Sequence, residues 1–284
     1  MAFEISLKTL IESGAHFGHQ ARRWNPKMKP YIYGVNDGVH IFDLIKTKAK
    51  LEEALDALRK AHKDGKKIVF IGTKKQVKDK IKEVALATTS FYVNERFLGG
   101  TLTNFEQIKR SITKLADMKK KMQEGGYKAY TKKERLLIDR EIQRLDRFFG
   151  GIAQMEKTPD LMIIVDTRRE RGAVREALAM GIETIGIIDS NSDPTQVDYP
   201  IPMNDDANKA LDYVLDLMKD VLLGKKVKEV KKDKEVKPKT ESTNKTAAKK
   251  VKAIKNEKSK TKTKRAVKSK TSKKKSVKSK TKKK

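Results

Sequence analysis

The sequence contains no cysteine, and aromatic residues make up only 6% of its 284 positions. The absence of cysteine excludes a disulfide framework, a thiolate zinc site and a cysteine nucleophile, and it is typical of a reducing compartment. No apolar run approaches the ~20 residues that a membrane-spanning helix needs, and Glu4 and Lys8 interrupt the start of the chain, so we expect neither a membrane segment nor a signal peptide. These absences favour a soluble cytoplasmic protein.

Acidic residues are also too few to balance the basic ones. The chain has 67 Lys and Arg against 37 Asp and Glu, a net charge of +30, and such an excess predicts a polyanionic partner. Residues 225–284 hold most of it, with 28 Lys and Arg against five acids and no aromatic residue. A segment with so few apolar residues is expected to stay disordered, either as a basic arm that binds nucleic acid nonspecifically or as a solubilising tail. The first 224 residues carry only about +7 of the charge.

In those first 224 residues, apolar runs alternate with amphipathic stretches. Strands are predicted at 31–33, 39–44, 67–72, 161–165, 184–188 and 199–201, and helices at 6–13, 46–62, 73–87, 170–180 and 206–223, with a loop at 14–30 and a turn at 34–38. Apolar runs bounded by charges are typical of strands that are covered on both faces. The pattern therefore predicts an α/β fold with a doubly wound parallel sheet.

Residues 103–149 interrupt this alternation with a long helical spacing of apolar residues. Two glycines at 125 and 126 break the helix, and Thr131 with Glu134 makes a capping box. We expect a helical hairpin with arms of about 30 Å that projects as a coiled coil, the alternative being two ordinarily packed helices. The predicted domains are a discontinuous sheet domain (1–102 and 150–224), the hairpin insertion (103–149) and the tail (225–284).

The loops at 72–76 and 166–172 lie where an enzyme of this fold class binds its ligand. Neither contains the glycine spacing of a dinucleotide-binding turn or of a phosphate-binding P-loop, and no serine lies in a nucleophile elbow. We therefore expect no enzymatic activity, no cofactor and no small-molecule substrate, with an enzyme of nucleotide or nucleic-acid chemistry as the alternative.

Metal binding is also disfavoured, because the histidines and acids of the loops lack a ligand-like spacing. The residues considered are His16, His19, Asp189, Asp193, Asp205 and Asp206. Side chains of this kind more often fix loops and cap helices than hold an ion. We predict no metal site.

Basic residues at helix starts and in rigid loops are the candidates for phosphate contacts. They are Arg22, Arg23, Lys27, Lys29, Lys74, Lys75, Arg96, Lys109, Arg110, Arg168, Arg169 and Arg171. Trp24, Tyr31 and Tyr33 lie among the first four, where their rings are suited to stacking on unpaired bases. Pro26 and Pro30 stiffen that loop, so burial of Trp24 in the core is the favoured alternative. For each basic residue the alternative is solvated surface charge.

Eight short motifs follow one another along the body of the chain. They are Gly14-Ala-His-Phe-Gly-His19, Arg23-Trp-Asn-Pro-Lys-Met28, Pro30-Tyr-Ile32, Gly38-Val-His-Ile-Phe-Asp-Leu44, Gly72-Thr-Lys-Lys-Gln76, Tyr92-Val-Asn94, Leu98-Gly-Gly-Thr-Leu-Thr-Asn-Phe105, and Asp198-Tyr-Pro-Ile-Pro202 with Asn204-Asp-Asp206. In this order, over about residues 1–224, they resemble the bacterial small-subunit ribosomal protein S2 family.

The resemblance implies a flavodoxin-like sheet domain with a protruding coiled-coil hairpin, seated near the junction of head and body of the small ribosomal subunit. It implies small-subunit rRNA and neighbouring ribosomal proteins as partners, and a part in docking the messenger-binding ribosomal protein S1. Phe97 departs from the tryptophan common in the family, the 166–172 loop is richer in arginine than expected, and the tail lies outside the shared part. A DNA-compacting protein driven by the tail is a third interpretation, which the patterned body argues against.

Overall fold

The computed structural model describes residues 5–224. All of them fall in the first of the two units into which the chain divides, Met1–Glu229. The predicted disorder of residues 225–284 lies outside the described residues.

The N-terminal part forms a helix and a small antiparallel sheet. Helix α1 (Leu7–Glu12) begins after Ser6, whose hydroxyl accepts a hydrogen bond from the Thr9 amide, as predicted. Strands β1 (Phe17–Gln20), β2 (Ile32–Asn36) and β3 (Val39–Phe42) pair in the order β1-β3-β2.

Two sequence expectations for this region were wrong. The predicted loop at 14–30 contains β1 and two short 3-10 helices, Ala21–Arg23 and Pro26–Tyr31. Strand β1 has a single apolar side chain and is held by main-chain pairing with β3. Its sequence therefore shows no alternation of apolar and polar residues from which a strand could be predicted. The predicted turn at 34–38 is shorter, because β2 runs to Asn36 and only Asp37 and Gly38, with φ of 49° and 77°, make the reversal.

The main sheet has five parallel strands. They are β4 (Ile68–Ile71), β5 (Phe91–Val93), β6 (Leu161–Val165), β7 (Glu183–Ile188) and β8 (Tyr199–Pro202). Their spatial order is β5-β4-β6-β7-β8, and this is the flavodoxin-like order of a doubly wound sheet. Strand β5 was not predicted, because three residues at a sheet edge are too few to show a period.

Helices cover both faces of the sheet, which confirms the predicted fold class. They are α2 (Leu44–Lys63), α3 (Lys78–Ala87), α4 (Phe105–Gln123), α5 (Lys132–Phe149), α6 (Arg171–Met180) and α7 (Asn208–Leu222). Alternate strand residues such as Phe70 and Ile163 pack with α2, α3 and α7. Their neighbours Ile71 and Ile164 pack with α6 and with the facing ends of α4 and α5. No helix of the described residues is long and apolar enough to cross a membrane.

Helices α4 and α5 form the predicted hairpin. Gly125, with φ of 75°, lies just after the end of α4, and the capping box of Thr131 and Glu134 begins α5. The buried residues of both helices all lie near the sheet: Ile108, Ile112 and Leu115 on α4, and Ile142, Leu145 and Phe149 on α5. No residue from 116 to 141, here called the outer half, is buried. The base of the hairpin thus belongs to the sheet's core, whereas its outer half faces solvent.

Candidate nucleic-acid interface

The carboxyl ends of the five parallel strands meet at one edge of the sheet, so the residues that follow them are brought together. These residues are 73–75 after β4, 94–96 after β5, 166–171 after β6, 189–193 after β7 and 203–206 after β8. Most of the sequence-predicted phosphate contacts of the sheet domain lie here.

Charge is divided along this edge. The side at β5, β4 and β6 carries exposed cations, here called the basic half: Arg96, Lys75, Arg168, Arg169 and Arg171. The side at β7 and β8 carries carboxylates, here called the acidic half: Asp189, Asp193, Asp205 and Asp206. An approaching phosphate is therefore attracted to the exposed cations of the basic half, whereas in the acidic half Asp189 and Asp205 are buried and face the protein's own cations.

Lys74 is the one predicted contact of this edge that points into the protein's own carboxylates. Its Nζ lies 3.0 Å from Asp166 Oδ2, 2.8 Å from Asp205 Oδ1 and 2.8 Å from Asp206 Oδ1, and its side chain is only 11% exposed. Burial opposes the charge, but the three carboxylates outweigh it and raise the pKa of Lys74. The ammonium is thus fully engaged inside the fold and has no position free for a phosphate.

Asp205 is a buried carboxyl of this cluster, with one oxygen left unpartnered within residues 5–224. It is 1% exposed, and its Oδ2 has no hydrogen-bond partner among the described residues. Burial first, and then the charges of Asp189 and Asp166, raise its pKa to about 7, although Lys74 acts in the opposite direction.

His19 closes the acidic half from the side of β1. Its Nδ1 lies 3.0 Å from Asp189 Oδ1, and its backbone amide donates to the Ser190 hydroxyl at 2.9 Å. The hydrogen bond to Asp189 raises the pKa of His19 despite burial. Burial opposes ionisation of Asp189, but the bonds from His19 and Ser190 outweigh it and lower the pKa of that carboxyl.

Three side chains of the acidic half converge as metal ligands do. His19, Asp205 and Asp206 each offer one ligand atom within 4.8 Å of the others. Imidazole and carboxylate together suit a divalent cation, although the Lys74 ammonium already lies against both Asp205 and Asp206. The prediction of no metal site stays a prediction.

A hydrogen-bond network around the buried Glu170 holds the arginine-rich loop of the basic half. The Thr73 hydroxyl donates to the Glu170 carboxylate and accepts a bond of 2.9 Å from Arg169 Nε. Glu170 is 5% exposed, and burial raises its pKa against the effects of Thr73 and Arg169. Arg169 is thereby fixed at the rim, whereas Arg168 and Arg171 form no ion pair within residues 5–224.

The four cations of the N-terminal segment are not equivalent. Lys27 Nζ lies 2.7 Å from Asp193 Oδ2 and also donates to Thr195, so its charge is shared with the acidic half. Arg22, Arg23 and Lys29 are exposed and have no ion-pair partner in the described part of the chain.

The aromatic residues of this segment differ in exposure. Trp24 is half-buried, with its ring centroid 5.1 Å from that of His40, so the expected full burial was only partly right. Tyr31 is half-buried, and Tyr33 is 83% exposed.

Lys109 and Arg110 lie on α4, away from the sheet edge. Both line a groove of about 610 Å³ along the helix, together with Lys114 and Lys121. The twelve predicted residues therefore fall on three surfaces: the sheet edge, the N-terminal segment and the hairpin.

Glu176 was missed by the sequence analysis. Its carboxylate accepts hydrogen bonds from the amides of Gly100 at 2.6 Å, Leu102 at 2.9 Å and Thr103 at 3.3 Å. It thereby ties the turn before the hairpin to α6. In the sequence it is an ordinary helical glutamate, and no local pattern indicates partners that lie more than 70 positions away.

One comparison with known proteins bears on these surfaces. The family model described as ribosomal protein S2 matches residues 10–225, well over half of the chain. The match spans both sheets, the hairpin and the whole charged edge, and it confirms the family that the eight motifs indicate.

Proposed function

The chain belongs to the ribosomal protein S2 family, and we propose that it binds small-subunit rRNA through exposed cations of its folded body. Members of this family are structural components of the small ribosomal subunit and serve translation. We further propose that the protein has no catalytic role and that it is cytoplasmic with the ribosome.

The observation that carries the proposal is the charge division of the sheet edge. Five cations of the basic half are exposed, and one of them, Arg169, is held by the network around Glu170. Exposed guanidinium groups suit the phosphates of a structured RNA, because each can donate two parallel hydrogen bonds to a phosphate. A nucleotide-binding enzyme would instead use the same edge with backbone amides, and Lys74 and its carboxylates occupy that place.

Two further surfaces extend the contact. Arg22, Arg23 and Lys29 beside the small sheet, and Lys109 and Arg110 on the hairpin, are exposed. We propose that the hairpin acts as a projecting coiled-coil arm, and that arm and sheet domain tie separate rRNA elements together near the junction of head and body.

The acidic half is proposed to face protein rather than RNA. Its carboxylates repel phosphates, and Asp206 remains half exposed beside the Lys74 cluster. The family resemblance points to ribosomal protein S1 as a neighbour, and we propose that this side helps to dock it. The lysine-rich residues after Gly224 are proposed to add nonspecific RNA attraction.

Co-sedimentation with small subunits that lack this protein tests the proposal. The full chain and a chain ending at Gly224 are compared over increasing salt. We expect both chains to stay bound at moderately high salt, because the folded body makes the specific contacts. The truncated chain should show a smaller slope of log K against log salt concentration, since each lost phosphate contact lowers that slope by ~0.7 to 0.9.

Release of both chains at low salt would contradict the proposal and indicate a loosely associated basic factor. An unchanged salt slope after truncation would contradict only the proposed RNA attraction by residues 225–284.

A further inference from the structure

The tip of the hairpin is a fixed turn. The Gly126 amide donates to the Lys121 carbonyl at 2.8 Å, the Lys128 amide to Gly125 at 3.0 Å, and the Tyr130 amide to Tyr127 at 3.2 Å. The capping box of Thr131 and Glu134 then begins α5. A turn held at so many points presents its side chains in one arrangement before any partner arrives.

A small cavity opens at this tip. It has a volume of about 230 Å³ and is lined by Met122, Gly125, Tyr127, Lys128, Arg135 and Ile138. The Tyr127 ring lies against that of Tyr130 in an edge-on contact, with centroids 5.6 Å apart and planes at 74°. The cavity thus combines an apolar floor with an aromatic wall that a second ring holds in place.

The charge around the cavity is positive. Lys128, Lys132, Lys133 and Arg135 are exposed and form no ion pair among residues 5–224. The acids nearby are already engaged, because Glu124 pairs with Lys120 at 4.0 Å and Glu134 is used in the capping box. An anionic partner with a flat apolar group therefore fits the tip better than an apolar protein segment does.

We propose that the hairpin tip binds an unpaired nucleotide of the small-subunit rRNA, with the base against the Tyr127 ring and the phosphates beside Lys128 and Arg135. Aromatic rings stack on splayed bases of any sequence, and basic side chains hold the backbone next to them. The inference rests on the proposed rRNA binding and adds a specific contact to it.

Substitution of the ring tests the contact. Tyr127→Leu keeps the apolar floor and removes the stacking face, and it should weaken binding of small-subunit rRNA by about 5- to 150-fold, the range of base–aromatic stacking. Tyr127→Phe keeps the ring and should bind like the unchanged protein. Leu136→Ala and Leu137→Ala are controls, since these residues are 50% and 54% exposed on the same outer half and do not line the cavity.

Ultraviolet cross-linking of the complex provides a second readout. We expect a nucleotide attached to the peptide around Tyr127, and its loss in Tyr127→Leu. Circular dichroism melts should be alike for all variants, because no buried residue is changed.

Three results would overturn the inference. Equal rRNA affinity of Tyr127→Leu and the unchanged protein would remove the contact and leave the proposed function intact. A protein partner would be indicated if all three variants assembled poorly into the subunit while their affinity for free rRNA was unchanged. These variants are Leu136→Ala, Leu137→Ala and Tyr127→Leu. Failure of the unchanged protein to bind rRNA would overturn the proposed function itself.

Discussion

The two halves of the sheet's carboxyl edge are built from the same element, a loop after a parallel strand, and they use charge in opposite ways. In the basic half five cations are exposed, whereas two of its three carboxylates, Asp166 and Glu170, are buried. In the acidic half the carboxylates Asp189 and Asp205 are buried, and they engage His19 and Lys74 internally. Lys74 and Lys75 are neighbours in sequence, but Lys74 is engaged by carboxylates and Lys75 is exposed to solvent. The comparison teaches that the partners a lysine meets in the fold, not its type, decide whether it is available to RNA.

The largest effect is expected from Lys74→Met. This substitution leaves Asp166, Asp205 and Asp206 close together with no cation, and an uncompensated buried charge is costly. We expect a loss of about 2–4 kcal/mol in the free energy of unfolding. This is somewhat less than the usual cost of removing one partner of a buried ion pair, because Asp206 is half exposed and Asp205 takes up a proton. Urea unfolding at pH 8 measures it.

Lys75→Met is the matched control. Lys75 is exposed and has no ion-pair partner in the described structure. The free energy of unfolding of the Lys75→Met variant should therefore change by less than about 0.5 kcal/mol, while its rRNA binding weakens. Equal stability of the two variants would break the comparison.

The next effect concerns RNA affinity. Arg171→Glu and Lys209→Glu make the same change of charge at exposed positions in the first turn of α6 and α7, which follow strands of opposite halves. We expect Arg171→Glu to weaken rRNA binding about tenfold, the size of a lost charge-assisted hydrogen bond, and to lower the salt slope. Lys209→Glu should change binding only slightly. A filter-binding titration at several salt concentrations distinguishes them, and similar losses would mean that net charge alone acts.

The smallest effect is expected from Glu170→Gln. Burial raises the pKa of this carboxyl, so the folded protein holds its proton more tightly than the unfolded chain does. Stability is then lost as pH rises from the ordinary pKa of glutamate through the raised one. Glutamine keeps an oxygen for the Thr73 hydroxyl and carries no charge.

The variant should therefore match the unchanged protein at pH 4 and be more stable at pH 8, by less than about 1 kcal/mol. Thermal melts at the two pH values check it. Lower stability of Glu170→Gln at pH 8 would mean that the charge of Glu170 supports the basic half through Arg169.

Much of the fold was predictable because burial leaves a periodic trace. The strands of 161–165 and 184–188 and the hairpin break at Glu124-Gly-Gly126 were read correctly, since each has a long apolar pattern or a turn signal. Strand β1 was missed because main-chain pairing holds it with little burial, and strand β5 was missed because its three residues are too few to show a period.

The candidate site was less predictable, because ion pairs join residues that are distant in sequence. Lys74 meets Asp205 across 131 positions, and Lys27 meets Asp193 across 166. Local spacing shows where a cation lies in an element and not which carboxylate it faces. The division into basic and acidic halves also depends on strand order, which places the loop after β5 next to that after β4 rather than beside β7.

The most direct test of the account maps rRNA around the sheet edge. The sequence contains no cysteine, so a single one introduced at Gln76→Cys in the basic half or at Asn208→Cys beside the acidic half carries an iron chelate without removal of native thiols. Both positions are exposed. Hydroxyl radicals generated in reconstituted small subunits should cleave rRNA strongly from position 76 and weakly from position 208. Stronger cleavage from position 208 would contradict the claim that the basic half, and not the acidic half, faces RNA.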